Sequence, residues 1–204
     1  MRLIGKILCT CLILGFLVVC VGVAADKQVL KDHLIRLHVV GASDSVEDQN
    51  IKLLVRDKIV EKLSEVMSQL PDKEAAREYL NGKLEEIRQL ADSVLAQAGV
   101  TDRCKVTFDW ESFPMRQYDT FSLPAGVYES LRVTIGEAEG KNWWCVVFPS
   151  LCLPATSQGF ADTAAGAGFS DTLTDTLTQK EEYRVRFFLL DCLGWVENWL
   201  FQIF

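Results

Sequence analysis

Few residues in the chain are of types and spacings that could carry chemistry. Asp44, Glu47 and Asp48 follow Gly41 within one short stretch, an acidic cluster beside a glycine. Several carboxylates close together suit calcium, but their order does not match the EF-hand loop. Carboxylates at a helix start are already explained by the helix dipole and the open backbone amides, and that reading is preferred. The histidines are His33 and His38. Five apart on an alternating segment, they point to opposite faces of a strand and do not act as a pair. Cys145 and Cys152 lack the Cys-x-x-Cys spacing of redox and zinc sites. Asp-Thr occurs at Asp119, Asp162, Asp171 and Asp175, in no case followed by glycine. The chain has no Gly-x-Ser-x-Gly elbow, no His-Glu-x-x-His and no phosphate-binding glycine loop. No catalytic residue, metal ion or cofactor is expected. What stands out is aromatic: Trp143 and Trp144 are adjacent in an apolar run, so on a strand they face opposite sides. One can anchor a core while the other is offered to a partner.

These groups need elements to hold them. From His33 to Val40, Ile35, Leu37 and Val39 alternate with Arg36 and His38, the period of a strand. Gly41 to Ser45 breaks it and starts a helix, with Asp44 or Ser45 as cap and Glu47 or Asp48 at capping-box spacing. Apolar residues at helical spacing predict helices over 46–69 and 73–98, separated by Pro71 and Asp72. Arg56 and Asp57 lie on the first of these, with Asp57 two turns from Asn50 on a polar face. Alternation then predicts strands from Cys104 to Trp110 and Val127 to Ile135, and the almost wholly apolar run Trp143 to Phe148 suits a central strand buried on both faces. Residues 111–125, with Pro114 and Pro124, read as loop. Residues 154–180 are rich in Ala, Thr, Gly, Ser and Asp and read as a linker or long loop. Tyr183 to Leu189 alternates as a last strand. Asp191 to Phe204 follows as a helix, with Leu193, Val196, Leu200 and Ile203 on one face and Trp195, Trp199, Phe201 and Phe204 making it strongly aromatic. Its charges, Asp191 and Glu197, would be repelled by anionic lipid, so docking on protein is favoured over lipid. The expected fold class is α+β: a largely antiparallel sheet with two long helices packed on one face, plus a C-terminal strand and helix.

The chain has 204 residues, 49% hydrophobic and 24% charged, with a net charge of −7. An acidic balance argues against gripping a phosphate backbone, so no nucleic-acid partner is expected. Arg2 and Lys6 precede an uncharged run from Ile7 to Val23, and Val23-Ala24-Ala25 places small residues before Asp26. Residues 1–25 thus read as a signal peptide cut after Ala25, or as an uncleaved N-terminal anchor. Either way the remainder is exported. Removing 1–25 takes two basic residues and Cys9, Cys11 and Cys20. Of the four remaining cysteines, Cys145 and Cys152 are the preferred disulfide pair, because Pro149 between them can turn the chain back; buried free thiols are the alternative. The expected organisation is 1–25 signal or anchor, a short polar tether over 26–32, 33–153 main α+β domain, 154–180 linker or long loop, and 181–204 C-terminal strand and helix.

Three segments read together carry a resemblance. Ile35-Arg36-Leu37-His38-Val39-Val40-Gly41-Ala42-Ser43-Asp44-Ser45 runs on through Glu47-Asp48-Gln49-Asn50-Ile51-Lys52 to Val55-Arg56-Asp57. Pro124-Ala125-Gly126-Val127-Tyr128 follows, then Gly140-Lys141-Asn142-Trp143-Trp144-Cys145-Val146-Val147-Phe148-Pro149-Ser150-Leu151-Cys152. The chain resembles the stage II sporulation protein R family over roughly residues 33–153. It departs in Ala42, where the family commonly has Asn, and in Ser150, where a second Pro is common. The resemblance implies signalling rather than a reaction. Members are made in the forespore and exported into the space between the two membranes. There they activate a membrane-embedded aspartic protease of the mother cell, which removes the pro-sequence of sigma-E. The resemblance supplies no catalytic residues. Candidate contact residues are the Ser43–Asp48 loop, including Ser43, Asp44 and Asp48, then Arg56, Asp57 and an exposed tryptophan of Trp143-Trp144. Membrane contact is expected only through the signal or anchor, or weakly through the C-terminal helix. Two other classes remain: a secreted hydrolase using Asp44, Asp48 and His38, and a structural envelope protein anchored by residues 7–23.

Overall fold

A computed structural model describes residues 2–152 and 157–203. Its elements are α1 (Arg2–His33), β1 (Ile35–Val40), α2 (Val46–Met67), α3 (Lys73–Gln97), β2 (Cys104–Phe113), β3 (Arg116–Gln117), β4 (Ser122–Leu123), β5 (Gly126–Ile135) and β6 (Asn142–Phe148). Then come α4 (Ser157–Gly166), α5 (Asp171–Leu177), a 3-10 turn (Glu181–Tyr183) and α6 (Arg184–Ile203). The main sheet has the order β2-β5-β1-β6, so β6, expected as a central strand, lies at an edge, its apolar run accounted for by the cores on both faces of the sheet. β2 with β5 and β1 with β6 are antiparallel, and β1 with β5 is parallel. The fold is α+β with a mostly antiparallel sheet, as the residue pattern predicts.

Helices α2 and α3 begin where their caps dictate. Ser45 Oγ accepts the Asp48 amide at 3.0 Å, and Asp72 Oδ1 accepts the Ala75 amide at 2.9 Å. Such caps contribute about 1 kcal/mol each. The apolar stripes of the two helices (Val55, Ile59 and Leu63; Ala76, Leu80 and Ile87) meet Leu37, Val39, Leu131 and Val133 of the sheet in one core.

The other face of the sheet differs from the expectation. It is covered by a second core drawn from Leu30, Leu34, Phe113, Tyr128, Phe160, Leu173 and Leu190. Three expectations are corrected here. Residues 26–32, expected as a tether, are the last turns of α1, with Leu30 fully buried. The expected 154–180 linker contains α4 and α5 (residues 153–156 lie outside the described residues). Phe160 and Ala164 are four apart, as are Phe169, Leu173 and Leu177, and all five are buried. That helical period is hidden among small polar residues, whereas Phe160 stacks on Phe121 at 4.3 Å. The expected strand over Tyr183–Leu189 is the 3-10 turn and the start of α6. Its alternation is coincidental. Phe187, Leu190 and Gly194 are buried at spacings of three and four, while Val185 is 72% exposed.

Helix α1 also runs without a break through Ala25, the expected cleavage point. Val23 is buried in the second core, and Arg186 of α6 pairs with Asp26 at 2.7 Å. Helix α6 crosses the end of the sheet where β5 begins. Asp191 Oδ1 accepts the Ala125 amide at 2.7 Å, and Glu197 Oε2 accepts the Val127 amide at 3.1 Å. Gly194 makes this approach possible: a Cβ there would lie 1.6 Å from the Ala125 carbonyl oxygen.

Candidate functional site

The Gly41–Asp48 loop is a clamp. Asp44 Oδ1 accepts the Lys141 amide at 2.7 Å, and Ser43 Oγ donates to Asp48. The Gly41 carbonyl accepts the Gly140 amide at 2.9 Å, and that of Ala42 accepts the Glu139 amide at 3.1 Å. A Cβ on Gly140 would sit 2.3 Å from the Ser43 oxygen, so the loop and the turn before β6 pack backbone on backbone. Lys52 donates to the Lys141 carbonyl at 2.9 Å from below. Burial, then the nearby Arg56 charge, push this lysine below its ordinary value. The acidic cluster is thus a helix cap and a loop tie. Among the described residues, no group of three or more His, Cys, Asp or Glu is placed to hold a metal ion.

The clamp sets β6 beside α2. The Arg56 guanidinium lies over the Trp143 ring at 4.8 Å and pairs with Asp57 at 2.6 Å. Trp143 is half-buried against the first core. It lines a groove of about 640 Å³ with Arg56, Asp57, Val60, Glu61 and Cys152. Trp144 points to the opposite face, as strand geometry requires. It stacks on His38 at 5.3 Å and carries Arg116 on its ring at 3.5 Å. A second groove, about 330 Å³, is lined by both tryptophans, Tyr118, Phe121 and Cys152. Trp143 and Cys152 line both grooves.

His38 is held at both nitrogens, by Glu111 at 2.8 Å and Asn142 at 2.7 Å. Burial works to raise the Glu111 carboxyl, but the hydrogen bond and charge of His38, with Ser130 and Arg132, outweigh it and hold the group below the usual carboxylate range. His33 ends α1, its Nδ1 bonded to the Val29 carbonyl at 2.8 Å, so the two histidines are not on one strand. Asp44, Asp48 and His38 are therefore held separately, by Lys141, by Ser43, and by Glu111 with Asn142. Arg36, expected on a polar face, is fully buried: Nη2 donates to Tyr118 Oη at 2.9 Å and the guanidinium lies 4.3 Å from the Phe113 ring.

Cys145 and Cys152, the expected disulfide, are both free thiols. The chain does turn back after β6, the Leu151 amide donating to the Val146 carbonyl at 3.2 Å. The Cys152 thiol is spent on that same carbonyl at 3.0 Å. Burial, reinforced by neighbouring Cys145, raises Cys152 well above the usual thiol value.

The structure thus brings the first and third of the three sequence segments together, at the clamp and along α2 and β6. It puts Pro124–Tyr128 at the other end of the sheet, against α1 and α6. Arg116 and Tyr118, which flank Trp144 and Arg36, come from the proline-bracketed stretch read as loop, where no periodicity marks them.

The model of the family described as stage II sporulation protein R matches residues 31–158, the strands, α2 and α3 just described. The chain belongs to the stage II sporulation protein R family. One relative, "Stage II sporulation protein R" of Bacillus subtilis (strain 168), is 34% identical over 159 residues, covering 76% of this chain and 71% of the relative. No solved structure matches. Membership supports a sporulation-related role. The apolar run of α1 is compatible with a signal sequence and secretion.

Proposed function

We propose that the chain is an exported sporulation signal that activates a membrane-embedded aspartic protease across the space between forespore and mother cell, and so triggers removal of the pro-sequence of sigma-E. The reading assigns no catalytic step to this chain. Its work is contact, made by the surface where Trp143 joins the two grooves under Arg56. The observation that carries it is this convergence. Two separated family segments meet at Arg56 and Trp143, and the half-buried aromatic with an arginine over it is the kind of anchor that dominates protein interfaces. Asp57, 62% exposed at its side chain, gives the patch an acidic rim. Ser43, Asp44 and Asp48 act behind it, as the clamp that holds β6 in place. The hydrolase alternative has less support, since Asp44, Asp48 and His38 each serve a separate structural bond.

The test exports the full chain beside the protease and its pro-sigma substrate in a non-sporulating host. Processing is expected with the chain and not without it. Trp143→Ala and Arg56→Ala are each expected to reduce processing at least tenfold at equal secreted level. Full processing by both variants, or processing without the chain, would overturn the proposal.

A further inference from the structure

Helix α6 is apolar on both sides: Phe187 and Leu190 are buried in the second core, yet the opposite side carries no carboxylate. Between Phe187 and Ile203 its charged residues are Asp191 and Glu197. Both point into the domain, Asp191 to the Ala125 amide and Glu197 to the Val127 amide and Lys31. The outward face instead carries Phe188, Trp195, Val196, Trp199, Leu200 and Ile203, with Trp195 66% and Trp199 54% exposed. A soluble helix keeps its charges outside and its apolar stripe inside. Exposure of this much contiguous apolar surface marks a contact face. The repulsion from anionic lipid expected of Asp191 and Glu197 does not arise, because neither carboxylate is on that face.

Position indicates what covers it. Among the described residues, α1 is the one helix long and apolar enough to cross a membrane. Directly after its apolar run it is joined to α6: Arg186 lies against Gly22 and pairs with Asp26, and Lys31 pairs with Glu197. The α6 face therefore begins where the candidate span meets the domain. Aromatic residues with an apolar body and a polar edge, here Trp195 and Trp199, suit the boundary between headgroups and acyl chains. We propose that the outward face of α6 lies on the lipid bilayer that holds α1, seating the domain on the membrane surface. With no lysine or arginine on it beyond Arg184 at its first residue, the face attaches by apolar burial and needs no anionic lipid.

The experiment reconstitutes the full chain into phosphatidylcholine vesicles, with and without brominated acyl chains, and reads tryptophan emission. Helix α1 contains no tryptophan, so its insertion contributes nothing to the signal. Quenching is expected to remove up to the share of two of the chain's five tryptophans. It is expected to vanish in Trp195→Ser/Trp199→Ser, whose thermal unfolding should match the parent because both rings are outside the core. Phe188→Ser/Ile203→Ser, which keeps both reporters, is expected to weaken quenching at least twofold. Adding phosphatidylglycerol or salt is expected to change nothing. Quenching absent from the parent, retained in the double tryptophan variant, or seen only with anionic lipid would overturn the proposal. So would a detergent-solubilised dimer that the tryptophan substitutions dissociate, which would give the face to a second copy.

Discussion

Glu129→Gln tests the electrostatic joint between α3 and the sheet. Glu129 is 5% exposed on β5, and its carboxylate lies 2.7 Å from Lys73 Nζ and 2.8 Å from Arg77 Nε. Lys73 is itself buried, with the Lys31 carbonyl as its other partner. Removing one member of a buried pair strands the other charge and costs about 3–5 kcal/mol. The lower end applies here. Arg77 is 36% exposed, already contacts Glu74 at 3.0 Å, and can turn to water. The ammonium of Lys73 keeps its carbonyl and lies 5.4 Å from the Trp110 ring. A loss of about 3 kcal/mol in a chain of this size lowers Tm by roughly 6–12 °C. The assay is thermal unfolding of the full chain in detergent, followed by circular dichroism. The control is Glu129→Leu/Lys73→Met. Replacing both ends with apolar groups of similar volume should return stability to within about 1 kcal/mol of the parent. The reasoning is refuted if Glu129→Gln costs less than about 1 kcal/mol, or if the double variant loses the sum of the single losses, since that would mean the charges are not coupled.

Other outcomes follow from the same geometry. Gly194→Ala places a Cβ 1.6 Å from the Ala125 oxygen and is expected to push α6 off the sheet end. Overpacking of this kind costs about 1–3 kcal/mol, and amide exchange at Ala125 and Val127 should rise by a factor of ten or more. Glu197, like Glu111, is held below the ordinary carboxylate range. Burial opposes this, but the Lys31 hydrogen bond, the Val127 amide and the Lys27 charge outweigh it. A depressed carboxylate stabilises the fold above its unfolded pKa of about 4.3. Stability is therefore expected to fall as pH drops below about 4, and Glu197→Gln should flatten that acid limb in a pH series of unfolding midpoints. Burial, helped by Asp92, pushes the Cys104 thiol up to about 12. At pH 8, iodoacetamide should therefore label Cys104 at least tenfold more slowly in native protein than after unfolding in denaturant, as read by mass spectrometry.

The parts of the site that follow local rules were legible. Ser45 caps α2 because a short hydroxyl before a helix satisfies an open amide, and Asp44 and Asp48 fall beside it for related reasons. Trp143 and Trp144 face opposite sides because a strand has a period of two. Their occupancy was not legible. That Arg56 lies over Trp143, and Arg116 over Trp144, depends on α2 and the β3–β4 hairpin reaching β6 from distant parts of the chain. Nor did the acidic cluster disclose its second role, since the Lys141 amide that Asp44 accepts is almost a hundred residues away.

By itself the sequence determined the four strands of the main sheet and the two long helices, the apolar leader and the family segments, because those rest on periodicity and short-range chemistry. Only the tertiary structure decided the second layer. In α4 and α5 the apolar residues are too sparse to announce a helix, and Phe160 is worth burying only once Phe121 is opposite it. In α6 an accidental alternation imitates a strand until Phe187, Leu190 and Gly194 find the sheet. The direction of Asp191 and Glu197 was likewise decided by packing. A carboxylate in a helix reads as solvent-facing until the amides at the start of β5 offer it a better partner, and that choice turned the aromatic face outward.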